Sequence, residues 1–475
     1  MPPHAPSPQP PRARLVETGE FWTARQRQAA TLHEVSYRAC FKPQLPAWFI
    51  TRHTNPGDLV HDPFAGRGTT AIEAALHGRR VATSDINPLS RILTEPRLEL
   101  PPLAAIRARL DELAPLFSAG KHSPSPQPAG HLSPAGRREK GGRRPDAPLS
   151  LSSLSSLPAV REDGDEDSPP APDLTMFYAP RTLRDILALR AYLHERRATA
   201  TEDAADRWLR MVATNRLTGH SPGFFSVYTL PPNQAASPKR QLEINRQRNQ
   251  TPPERDILAL IWKKTRQLHA GLTPAQITNL RAAALTAQYF TAPAGDTGAQ
   301  RSARVPRADE SRPESRQNSP SGNDAGRAMP ACETRALPGN SVALTVTSPP
   351  FLDTVQYAAD NWLRCWFNHI DTAAIARQIT ITRTLEAWDA FIRPVFAELH
   401  RVTRPGGRVA FEVGEIRKGT IRLEETAVPA AEAAGFVCEK ILINEQTFTK
   451  TANIWGVTNN TRGTNTNRIA LLRKT

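Results

Sequence analysis

Two separated parts of the chain, residues 40–100 and 334–475, carry short β-branched and apolar runs that alternate with apolar positions at three- and four-residue spacing. The predicted strands are 58–61, 80–85, 342–347, 408–413, 436–443 and 468–473, and the predicted helices are 69–78, 386–403 and 424–435. Strands that alternate with helices are typical of an α/β protein with an open, doubly wound, mostly parallel sheet. The two parts are therefore predicted to fold together around one sheet.

The intervening part, residues 173–296, is predicted to be a mainly helical insert. Segments 182–197 and 254–272 place apolar residues three and four positions apart, as amphipathic helices do. A second interpretation concerns the end of the insert, because YFTAPAGDT at 289–297 also has the pattern of a third strand. In that case the insert interrupts the sheet one strand earlier.

The remaining segments contain few large apolar residues. Residues 1–20 are rich in Pro and Arg and are predicted to be a flexible arm, while 118–172 and 297–333 are predicted to be low-complexity linkers. Residues 21–117 and 334–475 are then the N-terminal and C-terminal halves of the sheet domain. No apolar run approaches the roughly 18 to 20 residues of a membrane span, and the N-terminal residues lack the apolar core of a signal peptide, which favours the cytoplasm.

Charge and cysteine content narrow the class of partner. The chain has 61 Lys and Arg residues against 46 Asp and Glu residues, a net charge of +15 that favours a polyanion such as nucleic acid. The candidate DNA-binding residues lie beside aromatic positions of the insert and are Lys239, Arg240, Arg246 and Arg248. The alternative is a packed loop followed by a basic helix that only faces solvent. The four cysteines form no CxxC pair and no cluster with histidine, so no metal site is predicted.

A glycine loop follows the first predicted strand. Gly66 and Gly68 allow a tight turn, and Thr69 and Thr70 suit the first turn of the next helix. Asp85 ends the second strand 17 residues after Gly68, close to the roughly 20-residue spacing at which an acid accepts hydrogen bonds from ribose hydroxyls. The loop has neither GxGxxG nor GKS/GKT, so an adenosine-containing cofactor without a phosphate chain fits best.

A second motif, Ser348-Pro349-Pro350-Phe351, follows the β-branched strand 342–347. Two prolines cannot continue a central ladder, so the chain leaves the sheet at its carboxyl end, where α/β proteins bind ligands. The Ser348 hydroxyl and a backbone carbonyl can accept the N–H bonds of an exocyclic amino group, and Phe351 can stack on a base. Taken by itself, the motif is also compatible with a simple proline turn.

These motifs carry a resemblance to a known family. DPFAGRGTT at 62–70 resembles motif I of the DNA amino-methyltransferases, close to DPFxGSGTT, with Arg67 in place of the usual Ser. The resemblance implies S-adenosylmethionine as cofactor, and the cofactor-binding residues it indicates are Asp62, Phe64, Gly66, Gly68, Thr69, Thr70, Asp85 and Ile86. FKPQLPAWFITRHTNPGD resembles motif X, which adds Phe41, Lys42 and Pro43. The alternative for this segment is an amphipathic helix that packs Trp48 and Phe49 on the sheet.

The second motif resembles one branch of that family. VTSPPF matches the hydrophobic-T-S-P-P-[FY] pattern of cytosine-N4 methyltransferases, which implies that Ser348, Pro349, Pro350 and Phe351 form the catalytic loop. The resemblance also implies a class I methyltransferase sheet of seven strands. The leading hypothesis is methylation of cytosine N4 in duplex DNA by base flipping, with a cognate restriction endonuclease as a partner. The alternatives are adenine-N6 methylation, an RNA amino-methyltransferase, and a nucleic-acid-binding module with a vestigial cofactor fold.

Overall fold

The computed structural model describes residues 15–22, 29–38, 40–118, 172–232, 234–294, 337–352, 357–416, 420–445 and 466–475. The predicted linker 297–333 lies outside these ranges, as does 118–172 apart from its first and last residues. The strands are β1 Val16–Gly19, β2 Leu59–Asp62, β3 Arg80–Ser84, β4 Gln288–Phe290, β5 Val342–Thr347, β6 Thr403–Val413, β7 Glu415–Ile416, β8 Ile421–Arg422, β9 Phe436–Glu445 and β10 Thr466–Lys474. The helices are α1 Gln44–His53, α2 Thr69–Leu76, α3 Leu89–Glu99, α4 Leu103–Ser118, α5 Pro180–Ala198, α6 Ala204–Arg216, α7 Pro238–Arg248, α8 Ile257–His269, α9 Pro274–Thr286, α10 Tyr357–Phe367, α11 Thr372–Gln378, α12 Leu385–Val402 and α13 Glu424–Ala433.

Eight of these strands form one sheet in the order β1-β9-β10-β6-β5-β2-β3-β4. All neighbours are parallel except β10, which runs antiparallel to both β9 and β6. The α/β class and the mostly parallel sheet are thus confirmed. Five of the six predicted strands lie within two residues of an observed one at both ends, because β-branched runs bounded by turn residues are a local signal. The prediction 408–413 ends where β6 ends but starts five residues too late, because β6 already begins at Thr403.

The predicted strand count of seven is wrong, because β1 adds an eighth strand at the edge. Val16–Gly19 pairs in parallel with β9, so these residues of the predicted flexible arm are part of the sheet. Lys440 contacts the Glu17 carboxylate at 3.1 Å, and the Asn444 side-chain oxygen accepts the Phe21 backbone N–H at 2.7 Å. An edge strand exposes unpaired backbone groups, and the N-terminal segment satisfies those of β9.

The other edge settles where the insert begins. β4 pairs in parallel with β3, from Ala82 opposite Gln288 to Ser84 opposite Phe290. The second interpretation of 289–297 is therefore correct for Tyr289 and Phe290, and the helical insert lies between β3 and β4.

Helices cover both faces of the sheet. Along β10, Ile469 and Leu471 belong to a core shared with α2, α3 and the insert, whereas Ala470 and Leu472 belong to a core formed with α12 and α13. This two-residue alternation is that of a strand buried on both faces.

The insert shares the first of these cores with the sheet domain. Helices α6, α8 and α9 pack on α2, α3 and α4, and Trp208 of α6 is fully buried there. The insert is consequently held in a fixed position relative to the sheet.

Candidate cofactor pocket and methyl-transfer site

A pocket opens at the carboxyl ends of β2, β3 and β5, the edge at which open α/β sheets bind ligands. Its wall contains predicted cofactor and transfer residues from both motifs, namely Phe41, Asp62, Phe64, Gly66, Thr69, Asp85, Ile86, Ser348 and Pro350. The two motifs are more than 250 residues apart in the sequence, and the adjacency of β2 and β5 brings them together.

The glycine loop adopts the conformation that its composition predicts. Gly66 and Gly68 have φ of 52° and 73°, a region that side chains disfavour. A Cβ atom on Gly68 would lie 2.2 Å from the Thr94 hydroxyl oxygen, so α3 packs directly against the loop. Gly68 and Thr70 lie outside the pocket wall, and the Thr70 hydroxyl donates to the Val346 carbonyl at 3.0 Å. Their roles are to shape the loop and to join α2 to β5.

Asp85 lies where the spacing predicted, in the pocket wall after β3. Its two carboxylate oxygens accept the backbone N–H groups of Gly66 at 2.8 Å and Asn87 at 2.9 Å. Burial raises the pKa of Asp85, and these two hydrogen bonds act against that rise. Because a carboxylate offers about four acceptor positions, the side chain can accept further hydrogen bonds from a ligand.

Asp62 connects the two motifs. It accepts the Thr347 hydroxyl at 2.7 Å and the Phe64 backbone N–H at 3.1 Å. Burial raises the pKa of Asp62 to about 6, although these hydrogen bonds favour its charged form. Thr347 directly precedes Ser348, so this contact fixes the glycine loop relative to the proline motif.

Behind Ser348 lies a glutamate that the sequence reasoning missed. The Ser348 side chain is hydrogen-bonded to Glu412 of β6, which also accepts the side-chain amide of Asn467. Glu412 is 7% exposed, and burial raises its pKa to about 7. An acidic residue within the apolar run VAFEV was the available signal, since buried carboxylates are rare in strands.

The proline motif is anchored by a second missed residue. The indole N–H of Trp388, a fully buried residue of α12, donates to the Pro350 carbonyl at 2.9 Å. Pro349 lies outside the pocket wall. A buried indole usually satisfies its single donor, and here that need fixes the backbone of the loop.

Phe351 differs from the expectation that it faces a base. Its side chain is half-buried against the α12–α13 core and outside the pocket wall, and a Cβ on Gly414 would lie 2.9 Å from its ring. The aromatic side chains in the wall are instead Tyr37, Phe41, Phe64 and Phe391. Phe64 and Phe391 have ring centroids 6.0 Å apart, within the range of paired aromatic rings.

Of the residues predicted from motif X, Phe41 alone lies in the pocket wall. Pro43 is the N-cap residue of α1, and the Lys42 carbonyl accepts the Leu45 N–H at 3.1 Å. The amphipathic-helix alternative holds for the residues that follow, since Phe49 is fully buried and Trp48 packs on it with ring centroids 4.8 Å apart. Wall residues that sequence reasoning missed include Arg38, Cys40, Asn87, Gln378, Ile379 and Thr380. Gln378 is the last residue of α11, and the others come from loops.

The four predicted DNA-binding residues lie on α7, and all four are exposed. Arg240 pairs with Glu243 at 2.9 Å, and the Arg248 guanidinium lies 3.7 Å from the centroid of the Tyr228 ring. The segment that leads into α7 is fixed to α10, because the Asp360 carbonyl accepts the Ala235 N–H at 3.1 Å. Arg38 of the pocket wall contacts the Asp360 carboxylate at 2.7 Å. A continuous set of contacts therefore connects the pocket to the basic helix.

Two other kinds of site can be assessed within the described ranges. No group of three or more His, Cys, Asp or Glu side chains there is arranged to hold a metal ion. None of the helices in those ranges has the length and apolar character needed to cross a bilayer.

Comparison with known proteins finds one family model and relatives that match short segments. Residues 4–91 match the N6/N4 methyltransferase family model, described as DNA methylase. A 63-residue segment, 13% of this chain and 12% of the relative, is 38% identical to the type II methyltransferase M.MjaII of Methanocaldococcus jannaschii. A 62-residue segment, 12% of this chain and 14% of the relative, is 40% identical to the type II methyltransferase M.MvaI of Kocuria varians.

These matches support the resemblance to DNA amino-methyltransferases, and the α/β sheet is consistent with a methyltransferase fold. The aligned segments span only 12% and 14% of the length of the two curated relatives. The matches do not distinguish cytosine N4 from adenine N6.

Proposed function

We propose that the protein is an S-adenosylmethionine-dependent DNA methyltransferase that modifies an exocyclic amino group, preferentially N4 of cytosine. The observation that carries the proposal is one pocket whose wall contains both Asp85 after β3 and Ser348 of the T-S-P-P-F motif. Asp85 is an acid placed to bind the ribose of a cofactor, and Ser348 is an acceptor for an amino group. Methyl transfer to nitrogen requires both a bound cofactor and such an acceptor.

The residues of the wall fit the proposed cofactor. Asp85 has acceptor positions left for two ribose hydroxyls, and Phe64 and Ile86 offer an apolar surface for an adenine ring. Phe41 lies on the side that motif X closes in the related family. When bound, S-adenosylmethionine supplies an electrophilic methyl group on a sulfonium.

Ser348 is arranged to accept a hydrogen bond from the target amino group. Its hydroxyl is hydrogen-bonded to Glu412, and when the carboxyl is ionised Ser348 is the donor and both oxygen lone pairs face away from that contact. The Pro350 carbonyl is engaged by Trp388, so the loop offers the carbonyls of Ser348 and Pro349 as further acceptors. Acceptors on the two N–H groups polarise these bonds toward nitrogen and favour the tetrahedral geometry in which its lone pair can attack.

Glu412 also provides a destination for the proton. Nitrogen gains a methyl group and must lose one proton, while the sulfonium becomes a neutral thioether. Ser348 lies between the nitrogen and Glu412, so the proton can pass to the carboxylate through the hydroxyl. A carboxyl with a pKa of about 7 is well matched to accept a proton near neutral pH.

Duplex DNA is the proposed substrate because of the exposed cations on α7 and the connection of α7 to the pocket through Asp360. The target base lies inside the duplex and must be flipped out to reach the pocket. Cytosine N4 is preferred over adenine N6 because of the T-S-P-P-F motif. A restriction-modification role is supported by the names of the relatives, which are type II methyltransferases.

Nucleoside mass spectrometry of DNA from cells that express the protein tests the proposal. N4-methylcytosine is expected with the wild type and none with Ser348→Ala. N6-methyladenine without N4-methylcytosine would exclude cytosine as the target base, while methyl transfer to an exocyclic amino group of DNA would still hold. If labelled methyl groups enter RNA alone, or if the purified protein binds cofactor and modifies neither nucleic acid, the DNA methyltransferase proposal is wrong.

Cofactor binding provides the matched control. Ser348→Ala is expected to leave the Kd for S-adenosylmethionine unchanged, since the proposed role of Ser348 is toward the base. Asp85→Ala is expected to weaken cofactor binding. The reverse pattern would show that the two roles are wrongly assigned.

A further inference from the structure

Arg67 occupies the position where the resembling motif usually has serine, and its long side chain has a defined environment. The residue is only 6% exposed, at the centre of the glycine loop. Its Nη1 donates to the Val35 carbonyl at 2.8 Å and to the His33 carbonyl at 3.2 Å. Its Nε donates to the Thr69 hydroxyl at 3.1 Å, and Nη2 is 3.5 Å from the Phe41 carbonyl.

All three carbonyls belong to residues 31–38 and 40–41, which we call the strap. Four strap residues line the pocket, namely Tyr37, Arg38, Cys40 and Phe41. The strap therefore forms one wall of the pocket and the glycine loop forms the adjoining wall. Arg67 joins the two walls, because it belongs to the loop and binds the strap at both ends.

A second buried arginine supports the same arrangement. Arg97 of α3 is fully buried, and it donates to the Leu32 carbonyl of the strap at 3.0 Å and to the Leu93 carbonyl at 2.7 Å. Its Nη2 donates to the backbone carbonyl of Arg67. Arg97 thus binds a carbonyl of the strap and a carbonyl of the glycine loop, while the Arg67 side chain reaches from the loop to the strap.

The spacing between the walls leaves little freedom. A Cβ on Gly66 would lie 3.4 Å from the Tyr37 ring, so the strap passes close to the loop there. A serine at position 67 has a side chain of two heavy atoms and cannot reach carbonyls that the guanidinium contacts. A strap without these contacts has more conformations, and binding a ligand must then order it at a cost in affinity.

We propose that Arg67 is a positioning residue for the cofactor, which holds the strap against the glycine loop so that the pocket is formed before the cofactor binds. The inference rests on the proposed function, since it names S-adenosylmethionine as the ligand. It assigns Arg67 to cofactor affinity and not to the transfer step, because Arg67 lies outside the pocket wall and its hydrogen bonds go to the strap and to Thr69.

Arg79 supplies a matched control within the same chain. It is 8% exposed, and it donates to the Thr54 hydroxyl at 2.9 Å and the Thr54 carbonyl at 2.6 Å, besides the His77 carbonyl. It precedes β3 at the amino end of the sheet, opposite the pocket. Arg79→Ser therefore removes a buried arginine with a similar set of acceptors and leaves the strap intact.

The experiment measures S-adenosylmethionine binding to the full-length chain by calorimetry, together with Tm and steady-state kinetics. Arg67→Ser is expected to raise Kd and KM for the cofactor about tenfold or more, with kcat at saturating cofactor nearly unchanged. Arg79→Ser is expected to lower Tm by a comparable amount and leave Kd unchanged. Arg67→Lys keeps the charge but not the forked geometry, so its Kd should be intermediate.

The outcomes separate the inference from the function. If the wild type binds no S-adenosylmethionine, the proposed function fails and the inference fails with it. If the wild type binds and Arg67→Ser changes Kd no more than Arg79→Ser does, Arg67 is only structural and the inference is overturned. If Arg67→Ser does not yield folded protein, the pair Arg67→Lys and Arg79→Lys decides by the same criterion.

Discussion

Replacing Glu412 by glutamine should make the protein more stable and less active, and both effects should grow as the pH rises through 7. The carboxyl group is buried in β6, where it contacts Ser348 and Asn467. Glutamine has nearly the same shape and keeps a hydrogen-bonding oxygen, but it carries no charge at any pH.

The magnitude follows from the pKa of Glu412, which burial raises from 4.5 to about 7. Because the folded-state pKa is the higher one, the stabilising contribution of the neutral form is complete below about pH 4.5 and is lost as the pH rises through 7. The full difference corresponds to about 3 kcal/mol at roughly 1.4 kcal/mol per pKa unit. Glu412→Gln should thus gain up to about 3 kcal/mol of unfolding free energy at pH 8 and almost none at pH 4.

The catalytic effect should have the opposite direction. If the Glu412 carboxylate receives the proton through Ser348, wild-type kcat should rise with pH around 7, and the variant should lose that rise and be slower at pH 8. Urea unfolding at pH 5 and 8 and methyl incorporation between pH 5.5 and 9 measure the two effects. Cofactor Kd should stay the same in the variant.

Glu424→Gln serves as the control, because Glu424 is a buried glutamate that pairs with Arg468 at 2.5 Å. Removing one partner of a buried ion pair should destabilise the protein at pH 8. A Glu412→Gln variant that is likewise less stable at pH 8, or that keeps the rise of kcat near pH 7, would refute the reasoning.

Three further predictions concern other parts of the molecule. His61 in β2 is fully buried with no partner for either ring nitrogen in the described structure, and burial lowers its pKa to about 3. Because only the unfolded state takes up this proton, the free energy of unfolding measured with urea should fall by about 2 kcal/mol between pH 7 and pH 5. His61→Leu should abolish that part of the loss. Asp85→Asn keeps acceptor capacity on one oxygen only, so the Kd for S-adenosylmethionine should rise about tenfold while Tm stays nearly unchanged. An unchanged Kd in calorimetry would contradict the assignment of Asp85 as a cofactor-binding residue. Lys239→Ala and Arg246→Ala should each weaken DNA binding and lower the slope of log K against log salt by about 1, as fluorescence anisotropy would measure, whereas equal slopes in variant and wild type would show that α7 does not contact phosphate.

Local patterns were sufficient to predict much of the architecture. The strand predicted over 342–347 has the same first and last residues as β5. The β-branched residues indicate a strand, and the two prolines that follow mark where it ends. The positive φ of Gly66 and Gly68 and the position of Asp85 followed from their spacing in one strand-loop-helix-strand unit. These features depend on residues that are close in sequence.

The strand β1 could not be predicted from local sequence, because it depends on a partner far away in the chain. Val16–Gly19 has an ordinary composition next to an Arg- and Pro-rich segment, and it forms a strand only because β9 offers an open edge. Phe351 follows the end of β5 as predicted, but the direction of its side chain depends on Gly414 and the α12–α13 core. Neither partner is a neighbour in sequence.

The sequence by itself determined the α/β class, the glycine loop and the proline motif that ends β5, since short-range periodicity and turn chemistry specify such elements. Only the tertiary structure decided that Ser348 contacts Glu412, that Trp388 holds the Pro350 carbonyl, and that Arg67 binds the strap. The physical reason is that hydrogen bonds of buried polar groups form between strands and helices that are distant in the chain. Their partners are set by strand order and packing, which no local pattern encodes.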